Sequence, residues 1–114
     1  MTHDQKNRLA HFLQSFIEAH PGTRFGQLFG RCAAFAGVRV FAEITDSGLA
    51  CRVQARLVPE SMCSQLRLRS VRRFGWVVVS PDQCKQEKNL ISLVSLLELA
   101  VAHVATTQTS RLPC

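Results

Sequence analysis

The sequence predicts an α+β domain of two layers. An antiparallel β-sheet of about five strands packs with an N-terminal helix and a long C-terminal helix, in the order α-β-β-β-α-β-β-α. Three observations carry this expectation. Residues 4–19 place apolar side chains at three- and four-residue steps. Residues 31–53 hold three short runs of strand character separated by turn residues. Residues 90–105 are almost continuously apolar and contain no glycine or proline.

The first helix is expected over residues 4–19, with Asp4 at its start and Leu9, Phe12, Leu13, Phe16 and Ile17 on one face. Pro21 disfavours helix at His20, and Gly22 accepts a turn, so the helix stops there. The next segment, "TRFGQLFG" at 23–30, holds two Phe-Gly pairs. A phosphate-binding loop would need a following helix and a Lys-Ser or Lys-Thr pair, and neither is present, so the segment reads as tight turns leading into the sheet.

The runs "RCAAF" and "RVFAEI" flank Ala36-Gly37, a hairpin signal, and "TDSG" at 45–48 separates the second run from "LACRV". In the middle run Val38, Val40, Ala42 and Ile44 alternate with Arg39, Phe41, Glu43 and Thr45. That is period two, so a three-stranded antiparallel meander is predicted with the first set on the apolar face. A short helix follows at "PESMCSQL", where Pro59 suits a first turn and Glu60 complements the helix dipole. Leu68–Val71 reads as a short strand and "FGWVVVSP" as a buried one ending at Pro81. The last helix is expected from about Glu87 to Val104. A single domain is expected over residues 1–106, with a flexible tail at 107–114.

That last helix is broad in its apolar coverage, and only Ser92, Ser95 and Glu98 form a thin polar stripe. Its apolar run of 16 residues carries Glu98 and His103, short of the roughly 20 residues of a membrane span, so no membrane partner is expected. A face wider than one sheet can cover points either to a deeply buried helix or to a partner, most simply a second copy. The expected homodimer face is Leu90, Leu93, Leu97 and Val101.

The 114 residues carry a net charge of +6, and eleven of the fourteen cations are arginine. Arginine favours fixed, forked contacts to phosphate or carboxylate. Six arginines (Arg52, Arg56, Arg67, Arg69, Arg72 and Arg73) fall between positions 52 and 73 with one acid, Glu60. They run into Phe74 and Trp76, a composition that fits an anion- or partner-binding surface with weak nucleic-acid affinity. The five cysteines are an odd number without zinc-type spacing, and the N-terminus lacks an apolar leader core. Reduced thiols in a cytoplasmic protein are expected. The four histidines are scattered, and no nucleophile elbow or activated cysteine stands out. No cofactor, no metal and no enzymatic activity are expected.

Several short motifs together resemble the N-terminal domain family of the bacterial competence regulator TfoX (Sxy). They are Leu28-Phe29-Gly30, "FAGVRVFA" at 35–42, "DSGLACRV" at 46–53, "GWVVVSP" at 75–81 and the final helix. The resemblance covers roughly residues 5–106 and does not extend to that family's helix-rich C-terminal domain. It implies a two-layer α+β fold, also similar to YjbR-like and secretion-chaperone-like domains, in a bacterial cytoplasmic protein. It further implies a non-catalytic regulatory domain acting on DNA-uptake genes through protein contacts, with the transcription machinery as the partner class. The alternative is a stand-alone dimeric module of chaperone type that docks a peptide or small ligand.

Overall fold

The computed structural model describes residues 2–70 and 75–110 of the chain. Helix α1 (His3–Ala19) leads into four consecutive strands, β1 (Thr23–Leu28), β2 (Arg31–Ala36), β3 (Arg39–Thr45) and β4 (Gly48–Arg52). A 3-10 turn (Ala55–Leu57) and helix α2 (Glu60–Leu66) follow, then β5 (Arg69–Ser70) and β6 (Trp76–Val79). The chain closes with the short helix α3 (Pro81–Cys84), a 3-10 turn (Glu87–Asn89) and the long helix α4 (Leu90–Ser110). The sheet runs β1-β2-β3-β4-β6-β5, antiparallel throughout.

The α+β class, the antiparallel meander and both terminal helices are as the sequence predicts. Four details differ. Helix α1 is capped by Thr2 rather than Asp4: the Gln5 amide donates to the Thr2 hydroxyl, and the Thr2 amide donates to the Gln5 side chain. Residues 23–28, expected as turns, form β1. Only Phe29-Gly30 turns the chain, both with positive φ (52° and 79°), as a two-residue hairpin requires. Gly26 sits inside that strand because the ring of Phe35 on β2 lies only 3.1 Å from where its β-carbon would be. Finally, α4 continues to Ser110, beyond the expected start of a tail at 107.

The fourth difference lies in β3. Ala34 pairs with Ala42 and Phe35 with Val40, which leaves Phe41 as the extra residue of a β-bulge. Strict alternation would send Phe41 away from the helices. The bulge turns it inward instead, where its ring lies 6.0 Å from that of Phe16 on α1. Val40 is correspondingly displaced to the opposite face with Ala50, Trp76 and Val78, and Val38 stands exposed in the turn.

Both long helices lie on one face of the sheet. Leu9, Leu13 and Phe16 of α1 and Leu93, Leu96, Leu97, Ala100 and Val104 of α4 join Phe41, Ile44, Leu49, Cys51, Val77 and Val79 in one core. Each fully buried large side chain of this kind contributes about 1.5–3 kcal/mol. A polar joint ties α2 to the start of α4. Buried Asn89 donates to the Gln83 carbonyl at 2.9 Å and accepts from Gln65 at 3.2 Å, and Ser92 donates to Gln65 at 2.8 Å.

Leu93 and Leu97 were expected on a face offered to a second copy. Both are wholly buried against the chain's own sheet, because that sheet is wide enough to cover the helix's broad side. Leu90 is 43% exposed and Val101 is half-buried, so the four do not form one open surface. Glu87–Ala105 is long and apolar enough to cross a membrane by length and composition alone. Leu93, Leu96 and Leu97 are wholly buried in the chain's own core, whereas Leu90 and Ile91 are exposed.

Candidate anion-binding face

The face of the sheet away from the helices is built by the pleat. Ladder pairing places Gly26, Ala33, Glu43, Ala50, Val78 and Arg69 in one row across all six strands. Side chains two residues along each strand share that face. It therefore presents Arg24 from β1, Arg31 from β2, Arg52 from β4 and Arg69 from β5, four strands contributing one arginine each.

The guanidinium carbon of Arg24 lies 4.4 Å from the centroid of the Phe35 ring, a cation–π contact that holds a flexible side chain flat on the sheet. Arg31 reaches the carboxylate of Glu43 at 3.1 Å. Glu43 itself is wholly buried, so its charge is committed to the fold and to its arginine. Arg52 is half-buried and sits opposite Trp76 in the ladder, while Arg69 is exposed on the two-residue strand β5.

The sequence-predicted cluster is only partly assembled. Arg52 and Arg69 share the face. Arg56 lies in the 3-10 turn, exposed, with its Nε donating to the Gln54 side chain at 2.8 Å. Arg67 caps α2 in a left-handed conformation (φ 50°), exposed at the helix end. Arg72 and Arg73 lie outside the described residues. Arg24 and Arg31 were missed, since they are far from the cluster in sequence. The signal that finds them is the alternation Arg24-x-Gly26 and Arg31-x-Ala33-x-Phe35, which puts cations, small residues and an aromatic on one side.

Charge is divided between the layers. Among the described residues, the six strands carry five arginines (the four above and Arg39), no lysine and one acid, Glu43. The helices, 3-10 turns and their caps carry six acids against six cations. The excess positive charge therefore rides on the sheet.

Among the described residues, none on this face has the makings of a nucleophile or metal cage. Among the described residues, no group of three His, Cys, Asp or Glu side chains could hold a metal ion. Cys51 lies in the core, where burial pushes its thiol well above the ordinary range. Burial likewise pushes the Cys84 thiol up to about 12. Both stay protonated near neutral pH and are poor nucleophiles. No family model, no curated protein and no solved structure matches this chain.

Proposed function

We propose that this chain is a non-catalytic binding module that holds a nucleic-acid backbone against the arginine-bearing face of its sheet. The observation that carries the reading is the division of charge: among the described residues, the net positive charge is gathered on the strands, whose one acid is buried and paired. Arginine's planar fork holds phosphate oxygens two at a time. Recognition would run through phosphates rather than bases. Stacking platforms need open aromatic faces, whereas on this face Trp76 is buried and Phe35 lies beneath Arg24; the exposed Phe29 stands in the β1–β2 turn instead. Sequence-tolerant binding of this kind suits a domain that helps a regulator stay at its genes, in keeping with the role implied by the resemblance to the TfoX N-terminal domain. Protein contacts with the transcription machinery would then supply specificity.

The test is fluorescence anisotropy with labelled single-stranded and duplex 20-mers over a salt series. The parent protein should bind with an affinity that falls steeply with salt. The variant combining Arg24→Ala, Arg52→Ala and Arg69→Ala should stay folded and lose about one unit of the log–log slope per phosphate contact removed. Arg31 is left in place so that Glu43 keeps its partner. Absence of salt-dependent binding, or a triple variant that binds like the parent, overturns the reading.

A further inference from the structure

The sheet ends on one side at β5 and on the other at β1, whose six residues form an unbroken ladder with β2. An edge strand is ordinarily blunted by proline, lysine or a bulge, and β1 has none of these. Its one charge, Arg24, is drawn onto the Phe35 ring of β2 and so away from the edge. The register says which backbone groups the edge leaves open. The two-residue turn at Phe29-Gly30 makes Leu28 and Arg31 a hydrogen-bonded pair, and such pairs alternate along an antiparallel ladder. The Gly37 amide donates to the Gly22 carbonyl at 3.3 Å, which continues the same alternation past the strand. Arg24 and Gly26 therefore turn their backbone groups to β2, while Thr23, Phe25 and Gln27 point theirs outward. The Thr23 amide is taken by the His20 carbonyl at 3.3 Å. The amides of Phe25 and Gln27, and the carbonyls of all three residues, stay open. Arg24 and Gln27 are exposed and Phe25 is 36% exposed, so the helical layer does not close over this edge.

We propose that this edge pairs with β1 of a second copy, antiparallel about a two-fold axis at Phe25. A row of open N–H and C=O groups calls for an extended strand, and self-complementarity selects which one. About that axis Phe25 faces Phe25, each amide donating to the other's carbonyl. Gln27 faces Thr23, and its amide donates to the Thr23 carbonyl. Every open amide of the edge then has an acceptor, and the amide left out of the ladder is that of Thr23, which His20 already holds. The side chains agree. Two partly exposed aromatic rings become a cross-strand pair, and Arg24 lies opposite Gly26, which has no side chain. Neighbouring registers do worse. An axis at Gly26 also satisfies the amides but sets each Phe25 against Gln27, and an axis at Arg24 sets cation against cation. An axis at Thr23 needs the amides that His20 holds. Residues paired in a ladder share a face, so the two arginine faces become one continuous surface with both helical layers behind it.

The experiment is sedimentation equilibrium of the parent protein from about 5 to 500 μM at low and high salt. A monomer–dimer equilibrium is expected. Each copy carries a net charge of +6, so dimerisation should strengthen as salt screens that charge. Phosphate binding on the arginine face weakens with salt, so the two proposals fail separately. Gln27→Pro removes an amide that points away from β2, so the chain should fold and dimerise at least tenfold more weakly. Phe25→Lys and Phe25→Glu should each stay monomeric, and their equimolar mixture should recover the dimer, because the two side chains face each other across the axis. Ile91→Ser, on an exposed part of α4, should dimerise as the parent does. The proposal falls if the parent is monomeric throughout, which leaves the edge to a different chain, or if the mixture gains nothing over either variant alone. It also falls if Ile91→Ser abolishes the dimer while Phe25→Lys keeps it, which would put the second copy on α4. Should Gln27→Pro misfold, the charge-swapped mixture still decides.

Discussion

A β-carbon added to Gly48 would press into the backbone carbonyl of Val79, and the glycine's φ of 133° is one that other residues rarely adopt. The close approach exists because β4 begins where β6 ends, so two backbones meet without side chains between them. Gly48→Ala should cost about 2–5 kcal/mol, from backbone strain and overpacking together, read as a lower urea midpoint at an unchanged slope. His20 makes a different kind of joint. Its ring stacks on Phe16 at 3.8 Å, Nδ1 lies 2.7 Å from the Phe16 carbonyl and Nε2 lies 3.2 Å from Glu98 on α4. Two acceptors need two N–H donors, which only the charged imidazolium has. The hydrogen bond to Phe16 chiefly, and Glu98 next, hold its pKa above the ordinary histidine value. A raised folded pKa means the stabilisation is full below the unfolded value near 6.5 and is lost as pH rises through the folded one. His103 works in the opposite sense, since burial and then the charge of Arg52 lower its pKa. Melting temperatures of parent and His20→Gln from pH 5.5 to 8.5 should therefore converge as pH rises, the parent being the more stable at low pH.

At the scale of elements, α4 shows how far an apolar pattern can be read. Leu97 is wholly buried while Ile91, earlier on the same helix, is 83% exposed. Leu97→Ala should cost about 2–5 kcal/mol in urea unfolding, and Ile91→Ala should stay within about 0.5 kcal/mol. A large loss at Ile91 with protein concentration held fixed would show that its surface is covered after all. The hairpins β2–β3 and β3–β4 were legible because glycines at 37 and 48 punctuate β-rich runs. Strand β1 was not, because Gly26 mimics a turn signal and its reason for being there, the ring of Phe35, belongs to another strand. The bulge at Phe41 was hidden for a related cause: whether an aromatic faces in or out is settled by the helix that packs there, not by the strand's own alternation. The candidate site suffered most. Reading along the chain groups neighbours in sequence, from Arg67 to Arg73, whereas a sheet groups residues laterally, so that Arg24, Arg31, Arg52 and Arg69 come together from across half the protein.

The molecule as a whole has a radius of gyration of 13.4 Å, only a little more than the ~8–10 Å over which salt screens charge. Among the described residues, a strand layer bearing the excess positive charge, backed by a helical layer close to neutral, makes an electric dipole whose positive end is the arginine-bearing side of the sheet. Such a body is turned by the field of a polyanion before it touches it, so that collisions arrive sheet-first. The signature is kinetic. In stopped-flow experiments with a 20-mer, the association rate should fall at least tenfold between 50 and 300 mM salt, more steeply than the dissociation rate rises. Moving two charges without changing the total, by Arg24→Gln and Arg69→Gln with Glu18→Gln and Glu87→Gln, should slow association at low salt even though net charge is preserved. An orientation effect predicts that loss, and attraction by net charge alone does not.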